Sequence, residues 1–351
     1  MAAPSGEPTY TPPLNAPANR VAETNASGEV YTTEEIAQAF ASVREQGMLD
    51  QLRQTEYQQH GAVSDDPDVQ RHLWGTVSNN IPSQSQELAA AGLTELQIAT
   101  LQLSAEALHY AYAQSALDRM RAQGALDQPT RLPLVKEASL FNGRIRAFVE
   151  RFPETSAQGL VTALREVIAQ HVSSDVLKSR NEDVIRRIDQ VVNGARHEYG
   201  FGQLLPLATG VLRDGGHGDF DGRPATPMED YEYTADYAVT MPDGTLVYID
   251  VKSSAKGVGN KRPKLVPTEG EALTEPYRFM VERTSSGDIY KIITTWSYLD
   301  RENDAHFVPD KFYLNLPNEE LQTQYHAIAD MLLQAGIYFS THNQPEPAPG
   351  Q

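Results

Sequence analysis

The chain contains no cysteine, which removes disulfides and thiolate metal sites from consideration and suits a reducing compartment. No apolar run approaches the length of a membrane span. The opening Met1-Ala-Ala-Pro-Ser-Gly6 has neither the basic nor the apolar segment of a secretory signal, so a cytoplasmic protein with no membrane partner is expected. Basic residues are scarce, with 29 Lys and Arg against 47 Asp and Glu and a net charge of −18. General nucleic-acid binders neutralise phosphates with basic surface, so this balance argues against binding through the surface as a whole and leaves only a local patch.

What is present is enough for two domains: 351 residues, 40% of them hydrophobic and 22% charged. Residues 1–30 carry Pro4, Pro8, Pro12, Pro13 and Pro17 without apolar periodicity, and 343–351 repeat that character with Pro345, Pro347 and Pro349. Both read as disordered, an arm and a tail. Residues 31–180 read as an all-helical domain. Thr32-Thr-Glu-Glu35 and Thr94-Glu-Leu-Gln97 are capping boxes, and Ser64-Asp-Asp-Pro67 is a further helix start. After Thr94, the residues Ile98, Leu101, Ala105, Leu108 and Tyr112 fall on one apolar stripe running to about Ala122. Further helices are expected over 134–151, 157–172 and 181–193. The histidines of this region (His60, His72, His109 and His171) have no partner histidine at helical spacing and read as packing or surface residues.

The chemistry gathers in Thr234–Ser254, TADYAVTMPDGTLVYIDVKSS. Strand-forming residues flank the turn signal Pro242-Asp243-Gly244, which predicts an antiparallel hairpin. Proline at the second turn position favours a three-residue loop with Gly244 left-handed. Met241 then pairs with Thr245, and Asp236 falls opposite Asp250, with Lys252 on the same face. A two-residue turn would shift the register by one and separate the two acids. Two close carboxylates repel, and a hard cation such as magnesium between them removes the conflict. Bound there, the metal polarises a phosphodiester and activates water, while a neighbouring lysine orients that water or stabilises developing charge.

Asp236 followed by Asp250-Val251-Lys252 resembles the PD-(D/E)xK nuclease superfamily, whose signature is an acid on one strand and D/E-x-K on the next. Those families usually carry proline before the first acid, where this chain has Ala235. The resemblance covers about residues 190–255. It implies a helical glutamate upstream as a third metal ligand. Gly194 to Glu198 matches that G-x-x-x-E pattern, with Glu182 in reserve. The implied metal ligands are thus Asp236, Asp250 and Glu198, holding Mg2+ or Mn2+, with Lys252 assisting catalysis. Lys256, Lys261, Arg262 and Lys264 form a basic run just beyond the motif that can contact phosphates or simply be a solvated loop.

Between Glu198 and the hairpin, the loop 213–223 holds Asp214, Asp219 and Asp221 among glycines. It lacks calcium-loop spacing and reads as a plain loop, with His217 a minor candidate for the site. Strands are expected over 277–283, 288–298 and 311–316, and a closing helix from Asn318 to Gly336. The expected fold class is α+β, with an all-helical N-terminal region followed over 181–342 by a restriction-endonuclease-like α/β core with a central mixed sheet. The expected activity is metal-dependent hydrolysis of DNA, with RNA second, and the helical region selects substrate structure or a protein partner. The alternative is a catalytically weak module of that fold serving protein or nucleic-acid interaction. On the nuclease expectation, removing the Asp250 carboxylate abolishes cleavage without lowering stability.

Overall fold

A computed structural model describes residues 23–25, 28–60, 64–125, 128–177, 184–252, 277–284, 287–295 and 318–342. Glu182, the basic run Lys256, Lys261, Arg262 and Lys264, the strand expected over 311–316 and the tail 343–351 lie outside the described residues, as does most of the N-terminal arm. The described elements are α1 (Thr33–Glu45), α2 (Met48–His60), α3 (Pro67–Asn80), α4 (Ser85–Ala90), α5 (Glu95–Ala122), α6 (Gln128–Arg151), α7 (Ala157–His171), α8 (Ser174–Leu177) and α9 (Val184–Asp214). They continue with β1 (Asp221–Pro224), α10 (Pro227–Tyr233), β2 (Tyr237–Thr240), β3 (Leu246–Lys252), β4 (Tyr277–Thr284), β5 (Gly287–Thr295) and α11 (Asn318–His342).

The expected starts of α1 and α5 are present as closed capping boxes. The Thr32 and Thr94 hydroxyls accept the backbone N–H groups of Glu35 and Gln97, whose side chains return to the cap N–H groups. Helix α5 is broader in its contacts than one apolar stripe. Leu101 and Leu108 are fully buried, but so are Thr100, Ser104 and Ala111 on other faces. The reason is its position: α1, α3, α6 and α7 all pack against it, so it is the axis of the bundle rather than a surface helix. Trp74, Phe141, Ile145 and Phe152 complete this core, and Tyr112 is buried in it as expected. Truncating a residue such as Phe152 to alanine there would cost about 3–5 kcal/mol.

Helix α9 runs unbroken from Val184 to Asp214, well beyond the helix expected over 181–193, and carries Glu198 within it. Its interior glycines and Pro206 weaken the local helical signal, and Pro206 removes one backbone bond from the ladder. Burial outweighs that loss. Val184, Ile188, Val192 and Tyr199 enter the helical core, whereas Phe201, Leu204, Leu205, Ala208 and Leu212 enter a second core against the sheet. The two cores therefore meet inside α9, between Tyr199 and Phe201, rather than at residue 180.

The five strands form one mixed sheet in the order β1-β2-β3-β5-β4. β3 and β5 run parallel and the remaining pairs antiparallel. Side chains alternate across it as strand geometry requires. Val239, Val247, Ile249 and Ile292 face α9 and α11, and Ala238 and Tyr248 face the segment around α10, where Tyr233 stacks on Tyr248 at 4.6 Å. The architecture is α+β, an N-terminal helical region leading into a five-stranded mixed sheet.

Candidate active site

The β2–β3 turn has the chemistry its sequence dictates. Gly244 has φ +85°, a backbone region that side-chain-bearing residues rarely adopt, and its N–H donates to Met241 O at 2.9 Å. Met241 N–H donates to Thr245 O at 2.8 Å, closing the three-residue loop. The ladder that follows pairs Tyr237 with Ile249 and Thr240 with Leu246, the register expected from the turn.

That register does not continue to a direct Asp236–Asp250 pair. The ladder ends at Tyr237, and the Asp236 N–H donates to Ile249 O at 2.8 Å. Asp236 is thus an extra residue beside Ile249, a bulge of the kind that re-aims a side chain. Its carbonyl accepts from Ala225 N–H at 3.0 Å, which ties it to the end of β1. Its carboxylate accepts from the Val251 N–H at 2.7 Å, between Asp250 and Lys252. Three bonds, two to β3 and one to the residue after β1, hold this acid at the open end of the hairpin.

Four carboxylates share that neighbourhood. Burial raises the proton affinity of Asp236 well above the ordinary aspartate range, and the negative fields of Glu198 and Asp250 raise it further. Asp230, on α10, is likewise pushed up by burial and then by Glu198 and Asp250. Asp250 is 1% exposed and forms an ion pair with Lys252. Burial works against the charge on the Lys252 ammonium, but Asp250, followed by Asp236 and Glu198, outweighs it and holds the proton more tightly than usual. Three of the expected site residues therefore act on Asp236 or its neighbours as a group: Glu198, Asp250 and Lys252.

Three further residues belong to the site. Lys291, buried on β5, stands 3.8 Å from the second Asp250 oxygen and also donates to Tyr233 O and, at 2.7 Å, to Thr234 Oγ1. Thr234 has φ +50°, a left-handed conformation costing a non-glycine residue about 1–2 kcal/mol, and Lys291 holds it there. Arg146 reaches in from α6 and binds Glu198 Oε2 at 2.7 Å. Asp230 is the third. A sequence signal existed for two of them. Thr226-Pro-Met-Glu229 is a capping box opening α10, and Lys291 interrupts the apolar strand Ile289-Tyr-Lys-Ile-Ile293 as Asp250 interrupts β3. Nothing local marks Arg146. Asp214 ends α9, His217 and Asp219 lie on the exposed segment after it, and Asp221 opens β1; none of them bonds or ion-pairs with these carboxylates.

The donor set is all oxygen, the chemistry that magnesium and manganese prefer, and the mutual repulsion at Asp236 is what a divalent cation relieves. Glu198, Asp236 and Asp250 are the residues that would hold it. Among the described residues, no three His, Asp or Glu side chains surround a common point closely enough to hold a metal as they stand. Glu198 is turned to Arg146 and Asp250 to Lys252 and Lys291, so the chain's own cations occupy the acids.

No protein-family model matches the chain, and neither a curated protein nor a solved structure matches it.

Proposed function

We propose that the chain is a metal-dependent nuclease that hydrolyses phosphodiester bonds in DNA, with RNA the second candidate, through a site of the restriction-endonuclease-like kind. The observation carrying this reading is the gathering of Asp236, held by the Val251 N–H at 2.7 Å, with Asp250, 1% exposed and paired to Lys252, where burial first and then the fields of Glu198 and Asp250 raise the proton affinity of Asp236. Carboxylates brought together at such electrostatic cost are characteristic of functional sites. Bound magnesium or manganese would neutralise phosphate charge and lower the pKa of attacking water.

The chain's own residues divide the remaining work. Hydrolysis adds water across a P–O bond: the attacking water gives up a proton and the leaving alkoxide takes one. Lys252, 28% exposed at its side chain, can turn its ammonium from Asp250 to the reacting phosphate oxygens, where negative charge grows. Lys291 and the Val251 N–H keep Asp250 and Asp236 in place throughout.

The test is cleavage of circular single-stranded and supercoiled double-stranded DNA at low salt with magnesium or manganese. Wild type is compared with Lys252→Ala and Asp236→Asn prepared identically. Cleavage by wild type alone supports the proposal, and equal activity in all three assigns the cleavage to another site or a contaminant. The second reading is a non-catalytic interaction module. The internal ion pairs of Glu198 and Asp250 favour it, and it predicts three inert proteins that bind no divalent cation.

A further inference from the structure

Among the described residues, Arg146 is the side chain of α6 that enters the carboxylate cluster by an ion pair. Its Nη2 lies 2.7 Å from Glu198 Oε2, and its guanidinium carbon stands 5.6 Å from the Tyr237 ring centroid. Burial opposes the charge on Arg146, yet the surrounding groups, Tyr237, Glu198 and Asp236 in that order, hold its proton more firmly than usual. The same arginine also moderates the fields at Asp236 and Asp230. Glu198 is itself anchored independently of the pair, because its backbone carbonyl accepts from the Tyr237 hydroxyl at 2.8 Å. Releasing the guanidinium therefore leaves the backbone that carries the glutamate in place. The released side chain has somewhere to go: Arg146 also lines a cavity of about 110 Å3 with Tyr199, Gln203, Leu205 and Tyr237.

We infer that Arg146 is a built-in counter-cation supplied by the helical region, which competes with a divalent cation for Glu198 and must swing away from it when the metal binds. The inference rests on the metal-site reading of Glu198, Asp236 and Asp250. A guanidinium paired to a carboxylate neutralises part of the charge a metal would bind, and like charges a few ångströms apart in a partly buried site repel strongly. Arg146 thus sets the metal affinity of the site without being one of its ligands. It also gives the helical region a means of control, since any partner that shifts α6 shifts the competitor.

The test is calorimetric titration of Mn2+ alone into the full chain, wild type beside Arg146→Lys and Arg146→Met, with Arg213→Met as a control for net charge. The expected result is Mn2+ binding about tenfold or more tighter in Arg146→Met, with Arg146→Lys and Arg213→Met close to wild type. Wild type that binds Mn2+ with Arg146→Met equal or weaker overturns the inference and leaves the metal site standing. Absence of Mn2+ binding in all four overturns both. Should Arg146→Met not fold, the wild type answers alone: Mg2+ titration must shift the arginine Nε–H resonance that Arg146→Lys lacks. A resonance unmoved at saturating Mg2+ refutes the competition.

Discussion

His109 carries a positive charge where burial opposes one. It is 7% exposed, yet Glu106 lies 3.4 Å from its Nδ1 and Glu137 3.4 Å from its Nε2. Arg71 binds Glu137 at 2.7 and 2.6 Å, Ser78 donates to Glu106, and Arg144 stands 4.0 Å from Glu106. Burial lowers the imidazole pKa, but the two glutamates outweigh it and push it up to about 9. A folded-state value above the unfolded one near 6.5 contributes stability that is complete below pH 6.5 and gone above 9. Thermal melts at pH 6 and 9.5 should therefore differ by an amount on the order of 3 kcal/mol, and His109→Gln should flatten the difference. A pH-independent wild type would refute the buried imidazolium. Asp236 has the same sign. Its raised pKa means the native state binds the proton more tightly, so stability falls as pH rises from the unfolded aspartate value through the folded one. Asp236→Asn, which keeps an acceptor for Val251 N–H, should raise the metal-free melting temperature and remove that pH dependence. Asp250 behaves differently from the expectation drawn from carboxylate repulsion alone. It neutralises Lys252 and the buried Lys291, so Asp250→Ala leaves ammonium groups uncompensated and should cost about 3 kcal/mol in urea denaturation.

The β2–β3 hairpin shows what a short stretch can and cannot specify. Its register was readable because turn chemistry is local: Pro242 and Gly244 select the loop, and the loop selects every pair after it. Gly244→Val should consequently cost about 1–2 kcal/mol by urea titration, with the strand pairing retained. The bulge at Asp236 was not readable, because it is fixed by Ala225 N–H, which lies outside the hairpin, and by a side-chain bond from Val251 N–H that the turn does not dictate. Position along the chain hides such partners until the sheet is assembled. The continuity of α9 was hidden for a related reason. Glycines and Pro206 make its local preference weak, and the helix persists through what its two halves bury. Gly202 is necessary there on steric grounds, since a β-carbon at that position would collide with the Tyr237 hydroxyl. Gly202→Ala should displace that hydroxyl from Glu198 O, destabilising the fold by about 1–3 kcal/mol and weakening any activity that depends on Glu198. Urea denaturation read alongside the DNA cleavage assay checks both effects.

At the scale of the whole molecule, the helical region and the sheet were each foreseeable from periodicity, but their junction was not. The all-helical region was expected to end at residue 180, whereas the cores change hands at Tyr199 and Phe201 inside an unbroken helix. A truncation in the sheet core should therefore be felt in the bundle. Leu205→Ala should reduce hydrogen-exchange protection at Ile188 as well as around Leu212, and protection lost only around Leu212 would show the two cores to be independent. Arg146 adds a second link between the same halves, this one electrostatic.

Helix α9, 31 residues and roughly 46 Å long, also bears on how such a chain can be inherited. Shuffling of modules works where a cut leaves two intact surfaces. A cut at the midpoint of this helix leaves Val192 and Tyr199 with the bundle core and Phe201 and Leu205 with the sheet core, but it breaks the backbone ladder between them and parts Glu198 and Arg146 from Asp236 and Asp250. Lineages carrying this arrangement keep the carboxylate site only by passing it on whole, and a grafted replacement for the bundle must bring its own first half of α9 and its own answer to Glu198.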